Sequence, residues 1–407
     1  MGFDFTSQGS ALFSNPPEAM PPFQHLCQVC GEEGLREIAG FQRLPRVTSD
    51  SKPFPAGGRL FVCQRCGMVQ KVVDADWLRE IGEIYRNYEM YHQSASNDQA
   101  VFDPVSGRPS GRCEVLVRRL RQSGLLPLSG MLLDVGAGGG AMLAAFSTAC
   151  EGWKLFGLDL DDRKERQLKA IPRFERLFTV PPERLSEEFD LVTLVHSLEH
   201  FPDPLATLRG LRRKTASGGR LFIQVNNLER TPFDLVVSDH LCHFTPRSLC
   251  RLVARAEFRV DAARTDWIKK EISLLASADG ETSEPDPVDP REAIAKVEAD
   301  VAWLIGVLAH AREAAGDPRF GIFGTSVAAT WLAGGLGDAV KFFVDEDPKR
   351  EGRSHLGRPI LKPAEIPPGA VVYLAFVQEV AEEIRRRLAG QGVRFAAPPA
   401  VRLGGTE

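Results

Sequence analysis

The chain has 407 residues, more than one hydrophobic core usually serves, so two or three domains are expected. Apolar residues make up 43% and charged residues 26%, a globular composition that excludes a disordered or collagen-like chain. The net charge of -4 argues against a nucleic-acid-binding protein, no apolar run reaches the ~20 residues of a membrane span, and the start lacks a signal-peptide pattern, so a cytoplasmic location is expected.

The predicted elements begin with a proline-containing tail over 1–23, followed by a cysteine-rich segment over 24–80. Two Cys-x-x-Cys pairs contribute its four cysteines, Cys27, Cys30, Cys63 and Cys66. Two thiolates on one tight turn can face one metal ion, and two such turns complete a tetrahedral zinc site. Two disulfides or a redox pair are the alternatives, but a reducing compartment disfavours disulfides and a redox motif needs a single pair. The segment is therefore predicted to be a structural zinc module.

The next region, 81–280, alternates helix-like and strand-like segments in its larger part. Strands are predicted over Met131–Val135, Lys154–Leu160, Asp190–Val195 and Arg220–Val225. Helices are predicted over Cys113–Gln122, Ala141–Cys150 and Leu205–Lys214. This alternation predicts a doubly wound, Rossmann-like α/β domain.

A linker is predicted over 281–290, and a smaller Rossmann-like α/β domain over 291–407. Its helices are expected over Glu292–Ala314, Ser326–Ala333 and Val380–Leu388. Its strands are expected over Phe320–Phe323, Val340–Val344 and Val371–Phe376. The fold class is therefore α/β, with a zinc module in front of two sheet domains.

A glycine-rich turn after the first strand of the larger domain, Gly136 to Gly140, lets a ligand approach the backbone closely. A dinucleotide fingerprint, the alternative, would place a further glycine at Met142. Asp134 precedes the turn, and Asp159 ends the next strand, where a carboxylate can bind both ribose hydroxyls. These features resemble the first two motifs of class I S-adenosylmethionine-dependent methyltransferases. The resemblance implies a cofactor site formed by Asp134, Gly136, Ala137, Gly138, Asp159, Leu160 and His196.

The residues His196, Glu199 and His200 match the H-x-x-E-H pattern of one metalloprotease class. That metal site needs a helix presenting both histidines, whereas here the motif follows a predicted strand and precedes Pro202. The context predicts a strand-to-loop turn at the cofactor edge, with His196 near the cofactor and His200 near the substrate.

A second histidine-containing segment, which includes Asp239 and His240, follows the last predicted strand of this domain. Thr245 and Pro246 then have the pattern of a helix start. The histidines are thus expected on a loop at the carboxyl edge of the sheet, where ligands bind. A carboxylate beside a histidine can orient the imidazole and raise its basicity, so His240 is a candidate general base.

Nearly the whole chain resembles the nucleotide-sugar C-methyltransferases, which combine a zinc module, a methyltransferase domain and a C-terminal α/β domain. The resemblance is carried by a tyrosine–serine segment over 91–96, a signature over 344–360 and a glycine–serine turn over 321–326. It implies His240 as general base beside Asp239, with His200 or Tyr91 holding an enolate oxygen. It also implies substrate contacts at His92, Gly324, Thr325 and Ser326.

The chain departs from this family at two positions near the base. Val237 stands where the family tends to have tyrosine, and Asp239 where it tends to have glutamate. Methylation of a sugar hydroxyl therefore stays open beside methylation of carbon. The alternatives are a methyltransferase for another acceptor, such as RNA or a small metabolite, and a non-catalytic cofactor-binding scaffold. The sequence thus predicts an enzyme that uses S-adenosylmethionine and structural Zn²⁺, with a nucleotide sugar as its substrate and neither nucleic acid nor membrane as a partner.

Overall fold

The computed structural model describes residues 26–88, 98–102, 109–390 and 392–400. The chain forms two compact units, and each is described by itself. The first takes in the residues up to Gly34, Asn97–Arg230 and Cys242–Val288; the second takes in Leu35–Ser96, Thr231–Leu241 and Asp289–Glu407. Among the described helices, none is both long and apolar enough to cross a membrane.

The N-terminal part of the second unit consists of short strands and one helix. The strands are β1 (Leu35–Glu37), β2 (Arg46–Val47), β3 (Pro53–Phe54), β4 (Phe61–Cys63) and β5 (Val69–Gln70). β1 and β5 pair antiparallel with β4, and β2 pairs antiparallel with β3. Helix α1 (Ala75–Arg86) begins where the Asp74 carboxylate accepts the Trp77 N–H at 2.8 Å, and it buries Trp77, Ile81 and Ile84 on one face.

The first unit is built on a large sheet. Its strands are β6 (Ala100–Phe102), β7 (Pro109–Gly111), β8 (Ser129–Val135), β9 (Gly152–Leu158), β10 (Phe174–Phe178), β11 (Phe189–Val195), β12 (Thr215–Asn226), β13 (Cys242–His243), β14 (Arg259–Arg264) and β15 (Glu271–Ser277). Its helices are α2 (Arg112–Gln122), α3 (Ala141–Ala149), α4 (Glu165–Leu168), α5 (Pro204–Arg212) and α6 (Pro246–Arg255).

Seven of these strands form one sheet in the order β10-β9-β8-β11-β12-β15-β14. The first five are parallel, while β15 runs antiparallel to both of its neighbours. The central strands are continuous apolar runs because helices cover both faces of a parallel sheet. The strand order reverses between β8 and β11, and ligands bind beyond the carboxyl ends of strands at such a reversal.

The C-terminal part of the second unit is a smaller α/β sheet. Its elements are α7 (Pro290–Ala314), β16 (Phe320–Phe323), α8 (Val327–Leu336), β17 (Phe342–Val344), β18 (Ser354–His355), β19 (Arg358–Leu361), β20 (Val371–Leu374), α9 (Gln378–Arg387) and β21 (Arg394–Ala396). The strand order is β18-β19-β17-β16-β20-β21, parallel except at β18. Trp331 links this part to the strands before α1, because its indole N–H donates to the Pro45 carbonyl at 2.6 Å.

The structure contains the helices and strands that the sequence predicts for the two α/β regions, with ends displaced by a few residues. The predicted linker has neither helix nor strand over 281–289. Six strands of the two larger sheets were not predicted, namely β10, β14, β15, β18, β19 and β21. The residues of the predicted zinc module after Gly34 belong to the same unit as the C-terminal sheet, and the division into a tail and three separate domains stays a prediction.

Candidate functional site

The turn between β8 and α3 carries glycines whose backbone is left-handed. The φ angles are 77° at Gly136, 48° at Gly138 and 79° at Gly140. A Cβ at Gly136 would lie 2.5 Å from the Cβ of Ser197, so no larger residue fits there without a shift. The Ser197 hydroxyl donates to the Val135 carbonyl at 2.7 Å and holds the end of β11 against the turn. The glycines therefore serve both local packing and the backbone approach that a ligand needs.

Asp159, which follows β9, is oriented by two backbone amides. The Gly138 N–H donates to its Oδ2 at 2.6 Å, and the Leu160 N–H donates to its Oδ1 at 2.7 Å. Burial raises the pKa of Asp159, while the two amide hydrogen bonds oppose that rise. A carboxylate accepts along about four lone-pair directions, so two directions are available for a pair of hydroxyl groups such as those of a ribose.

Asp134 lies at the end of β8 and is only 3% exposed. The Thr193 hydroxyl donates to its Oδ1 at 2.7 Å. Burial raises the pKa of Asp134 to about 7; the Thr193 hydrogen bond opposes this rise, and the charge of Asp159 adds to it. A cationic ligand beside this group would favour its ionised form, because opposite charges stabilise each other. Asp134 therefore joins the ends of the neighbouring strands β8 and β11 through Thr193.

His196 occupies a strained position directly after β11, with φ at 51°. Its ring nitrogens lie 3.2 Å from Glu199 Oε1 and 3.2 Å from Glu271 Oε2, and the other Glu271 oxygen is 2.9 Å from the Arg112 guanidinium. Burial and Arg112 act to lower the pKa of His196, but the two carboxylates outweigh them and raise it to about 9. Burial acts to raise the pKa of Glu271, but Arg112 and His196 lower it to about 2.

This ion network gives His196 a neighbourhood that the sequence did not predict. Both ring nitrogens lie against carboxylates, and contact with a cofactor stays a prediction. His200 ends a three-residue 3-10 helix, Leu198–His200, while His196 lies before it, so no helix presents both histidines as the metalloprotease site requires. Arg112 and Glu271 were missed, although an acid opening the apolar strand β15 is a signal that could have identified Glu271.

The candidate base, His240, is 5% exposed and belongs to the second unit. Its Nδ1 lies 2.8 Å from Oδ1 of Asp234, which is in the 3-10 helix Pro232–Val236. Asp239, expected to orient the imidazole, instead accepts the Ser49 N–H at 2.8 Å and the Ser49 hydroxyl at 2.5 Å. The orienting carboxylate in the structure is therefore Asp234, which the sequence analysis did not single out.

The remaining predicted residues of this region are only partly described. Tyr91 and His92 lie outside the described residues. Thr245 and Pro246 do begin α6, with the Thr245 hydroxyl accepting the Ser248 N–H at 3.2 Å. The helix-start pattern was therefore correct, while roles for Tyr91 and His92 stay predictions.

The two cysteine pairs form the same local turn. In each turn the glycine after the pair has left-handed φ, 72° at Gly31 and 71° at Gly67, and donates its N–H to the carbonyl of the leading cysteine. The Sγ atoms of Cys27 and Cys63 accept backbone N–H groups from two residues further on, at 3.4 and 3.3 Å. Such contacts stabilise a thiolate. Cys27 belongs to the first unit and Cys63 to the second, and a shared zinc ion stays a prediction.

The turn between β16 and α8 repeats, within the second unit, the design seen around Asp159. Gly324 has φ at 88°, and its N–H donates to the Val344 carbonyl at 2.6 Å. The Thr325 hydroxyl donates to Oδ2 of Asp345, which follows the neighbouring strand β17, at 2.8 Å. Ser326 precedes the first residue of α8. In both sheets a glycine turn follows one parallel strand, and an acid that follows the neighbouring strand accepts a hydrogen bond from that turn.

Comparison with known proteins gives a family match to the region that contains the first of these two turns. Residues 110–263 match a family described as a methyltransferase domain. The ubiquinone biosynthesis O-methyltransferase of Pseudomonas syringae pv. tomato is 32% identical over 128 residues, which are 28% of this chain and 53% of that protein. The enzyme of the same name from Aliivibrio fischeri is 31% identical over 126 residues, with the same shares of both chains. The chain thus spans about half the length of these relatives.

The solved structures to which this chain is similar include an S-adenosylmethionine-dependent methyltransferase from Clostridium acetobutylicum. It is 11% identical, with a TM-score of 0.34, and the match covers 50% of this chain and 99% of that one. A methyltransferase from Aquifex aeolicus is 18% identical, with a TM-score of 0.35, covering 44% and 95%. By its match to the family and its curated relatives, this chain contains a class I S-adenosylmethionine-dependent methyltransferase domain.

Proposed function

We propose that the chain transfers the methyl group of S-adenosylmethionine to a small molecule, with His240 as the general base. The carrying observation is the Asp159 carboxylate, which two amides orient in a domain that matches methyltransferases. The bound cofactor would supply an electrophilic methyl group. The ribose hydroxyls would donate hydrogen bonds to Asp159, and the backbone of the glycine turn would lie against the cofactor.

The pairing of His240 with Asp234 supports the role of a base. If Nδ1–H donates to Asp234, the tautomer places the basic lone pair on Nε2, and the carboxylate stabilises the imidazolium that forms when a proton is taken up. His240 would remove the proton from the acceptor atom as that atom attacks the methyl group. Which acceptor atom reacts depends on the substrate, since a hydroxyl and a carbon beside a ketone both need this proton removed.

For the acceptor we propose a nucleotide sugar. The support is the second glycine turn, where Gly324 and Thr325 precede a helix whose N-terminus suits a phosphate group, and Asp345 can accept from a sugar hydroxyl. Another small molecule with a reactive hydroxyl is the second candidate, because the matched relatives are named O-methyltransferases. Their similarity covers 28% of this chain and 53% of each relative, so the acceptor is not carried over from them.

We also propose one structural zinc ion held by the four cysteines. The support is the repeated turn, in which the leading thiol of each pair faces backbone N–H groups. Four protein ligands complete a tetrahedral shell, so this ion would stabilise the fold and take no part in methyl transfer.

A screen of nucleotide sugars, with and without a 4-keto group, tests the acceptor by mass for the gain of one methylene. Incubation of the keto compounds in deuterated water without cofactor separates the two chemistries: carbon methylation predicts deuterium uptake beside the ketone, whereas hydroxyl methylation predicts none. A His240→Gln variant should lose turnover, and His310→Gln, at an exposed histidine of the same unit, should keep it. Full turnover by His240→Gln would remove the proposed base.

Two outcomes would point to the alternatives. Binding that weakens steeply with salt, measured with single-stranded RNA, would favour an RNA acceptor, because phosphate contacts release counterions. Binding of S-adenosylmethionine in calorimetry without methyl transfer to any compound of the screen would favour a cofactor-binding scaffold without catalysis.

A further inference from the structure

A lysine side chain is buried directly beneath the segment that carries His240. Lys71 follows β5, is 2% exposed and belongs to the same unit as that segment. Its Nζ donates to the backbone carbonyls of Val237, of Ser238 at 3.3 Å and of His240 at 2.8 Å. An ammonium group has three N–H donors, so these carbonyls use all of them.

The same segment is bound by further contacts within the unit. The Lys71 N–H donates to the Leu241 carbonyl at 2.8 Å, and the Ser238 N–H donates to the Val47 carbonyl at 2.8 Å. Ser49 adds two hydrogen bonds to the side chain of Asp239. The three carbonyls that accept from the Lys71 side chain belong to three of the four residues from Val237 to His240. The lysine therefore restrains the backbone from which the His240 side chain projects.

The burial of Lys71 indicates that its amine has a specific structural role. Burial lowers the pKa of Lys71 to about 7; Arg46 lowers it too, and Asp239, Asp234 and Glu80 oppose the decrease. An apolar side chain of similar length would fill this space without the free-energy cost of burying an amine. What methionine could not supply is the set of donors for the backbone carbonyls of this segment.

We propose that Lys71 is a positioning residue that aligns the His240 imidazole with Asp234. The inference rests on the proposed function, in which His240 is the base. The geometry supplies its physical basis: the three carbonyls fix the peptide planes 237–238, 238–239 and 240–241, which lie on both sides of the Asp239–His240 bond, and the distance from His240 Nδ1 to Asp234 Oδ1 is 2.8 Å. A base displaced by about 1 Å can lose about a hundredfold in rate.

The test compares Lys71→Met with Lys349→Met, a control at an exposed lysine of the same unit. For Lys71→Met we expect kcat to fall about ten- to a hundredfold, with the Kd for S-adenosylmethionine unchanged, since Asp159 is untouched. The acid limb of the pH–rate profile should also shift, because His240 loses its fixed partner. The NMR signals of the labelled His240 ring should shift in the same variant, while Lys349→Met leaves the pH–rate profile and these signals unchanged.

The outcomes separate this inference from the proposed function. If Lys71→Met keeps the kcat and pH profile of the unmodified enzyme while His240→Gln is inactive, the inference on Lys71 is overturned and the base stands. If His240→Gln turns over normally, the proposed base fails first. If Lys71→Met does not fold, hydrogen exchange of the backbone amides in the unmodified protein tests the inference instead. Protection at Ser238 and His240 should weaken as pH rises through about 7, where the amine loses one donor; unchanged protection overturns the inference.

Discussion

Replacing Asp159 with alanine is the most direct perturbation of the cofactor site. In the proposed complex its carboxylate accepts two hydroxyl groups, and hydrogen bonds to a charged group contribute about 1.5–3 kcal/mol each. The loss is thus about 3–6 kcal/mol, which weakens binding about 10²- to 10⁴-fold. The amides of Gly138 and Leu160 also lose their acceptor, which adds disorder to the turn. Asp159→Asn keeps one acceptor oxygen and should give an intermediate loss.

Isothermal titration with S-adenosylmethionine, and with its demethylated product, measures this effect. Asp162→Ala is the matched control, because Asp162 is a nearby exposed carboxylate. Thermal unfolding of each variant separates loss of binding from loss of fold. A Kd for Asp159→Ala within about threefold of the unmodified protein, with Asp162→Ala equally unaffected, would refute the assignment of Asp159 to the ribose.

Three further perturbations follow from other parts of the structure. Asp234→Asn should reduce kcat by about 10²–10⁴-fold with little change in cofactor Kd, as steady-state kinetics would report, because His240 loses its orienting charge; unchanged kcat contradicts this. The pKa of His196 rises from 6.5 to about 9 on folding, so its contribution to the stability of the fold is complete below pH 6.5 and is lost as pH rises through 9. The pKa of Glu271 falls from 4.5 to about 2, so its contribution is complete above pH 4.5 and is lost as pH falls through 2. Thermal unfolding should therefore give the pair its full effect between pH 4.5 and 6.5, and a Glu271→Gln variant with the same pH dependence as the unmodified protein would count against the network. Metal analysis should find one zinc ion per chain, and its chelation should lower the melting temperature; a purified chain without metal would rule out the zinc module.

The glycine turn after β8 could be predicted from the sequence because its signals are local. Gly136 and Gly138 follow an apolar strand directly, and Asp159 ends the next one, so the order of the residues alone brings them to one sheet edge. The hydrogen bond between Gly138 and Asp159 then follows from the parallel register of β8 and β9. Apolar runs that end at glycines likewise predicted most strands and helices of the two α/β regions.

The neighbours of the candidate base could not be predicted in this way. Lys71 and Ser49 are separated from the residues they bind by 166 to 190 positions, and no local pattern reports such a distance. The choice of Asp234 over Asp239 depends on the 3-10 helix Pro232–Val236, whose turn directs the more distant carboxylate to the imidazole. Sequence proximity was therefore a poor guide to the partner of His240.

The separation between Lys71 and its loop also has a consequence for synthesis of the protein on the ribosome. At about 5–20 residues per second, the 166 positions between Lys71 and Val237 take about 8–33 s to translate. During that interval the amine has no loop to bind, and Trp331, which donates to Pro45, is made later still. The glycine turn after β8, together with Asp134 and Asp159, is translated well before Val237. In the proposed function, a nascent chain stalled before Val237 would therefore contain the residues proposed to bind the cofactor but not the proposed base, and it would still lack the strands β14 and β15 of the large sheet.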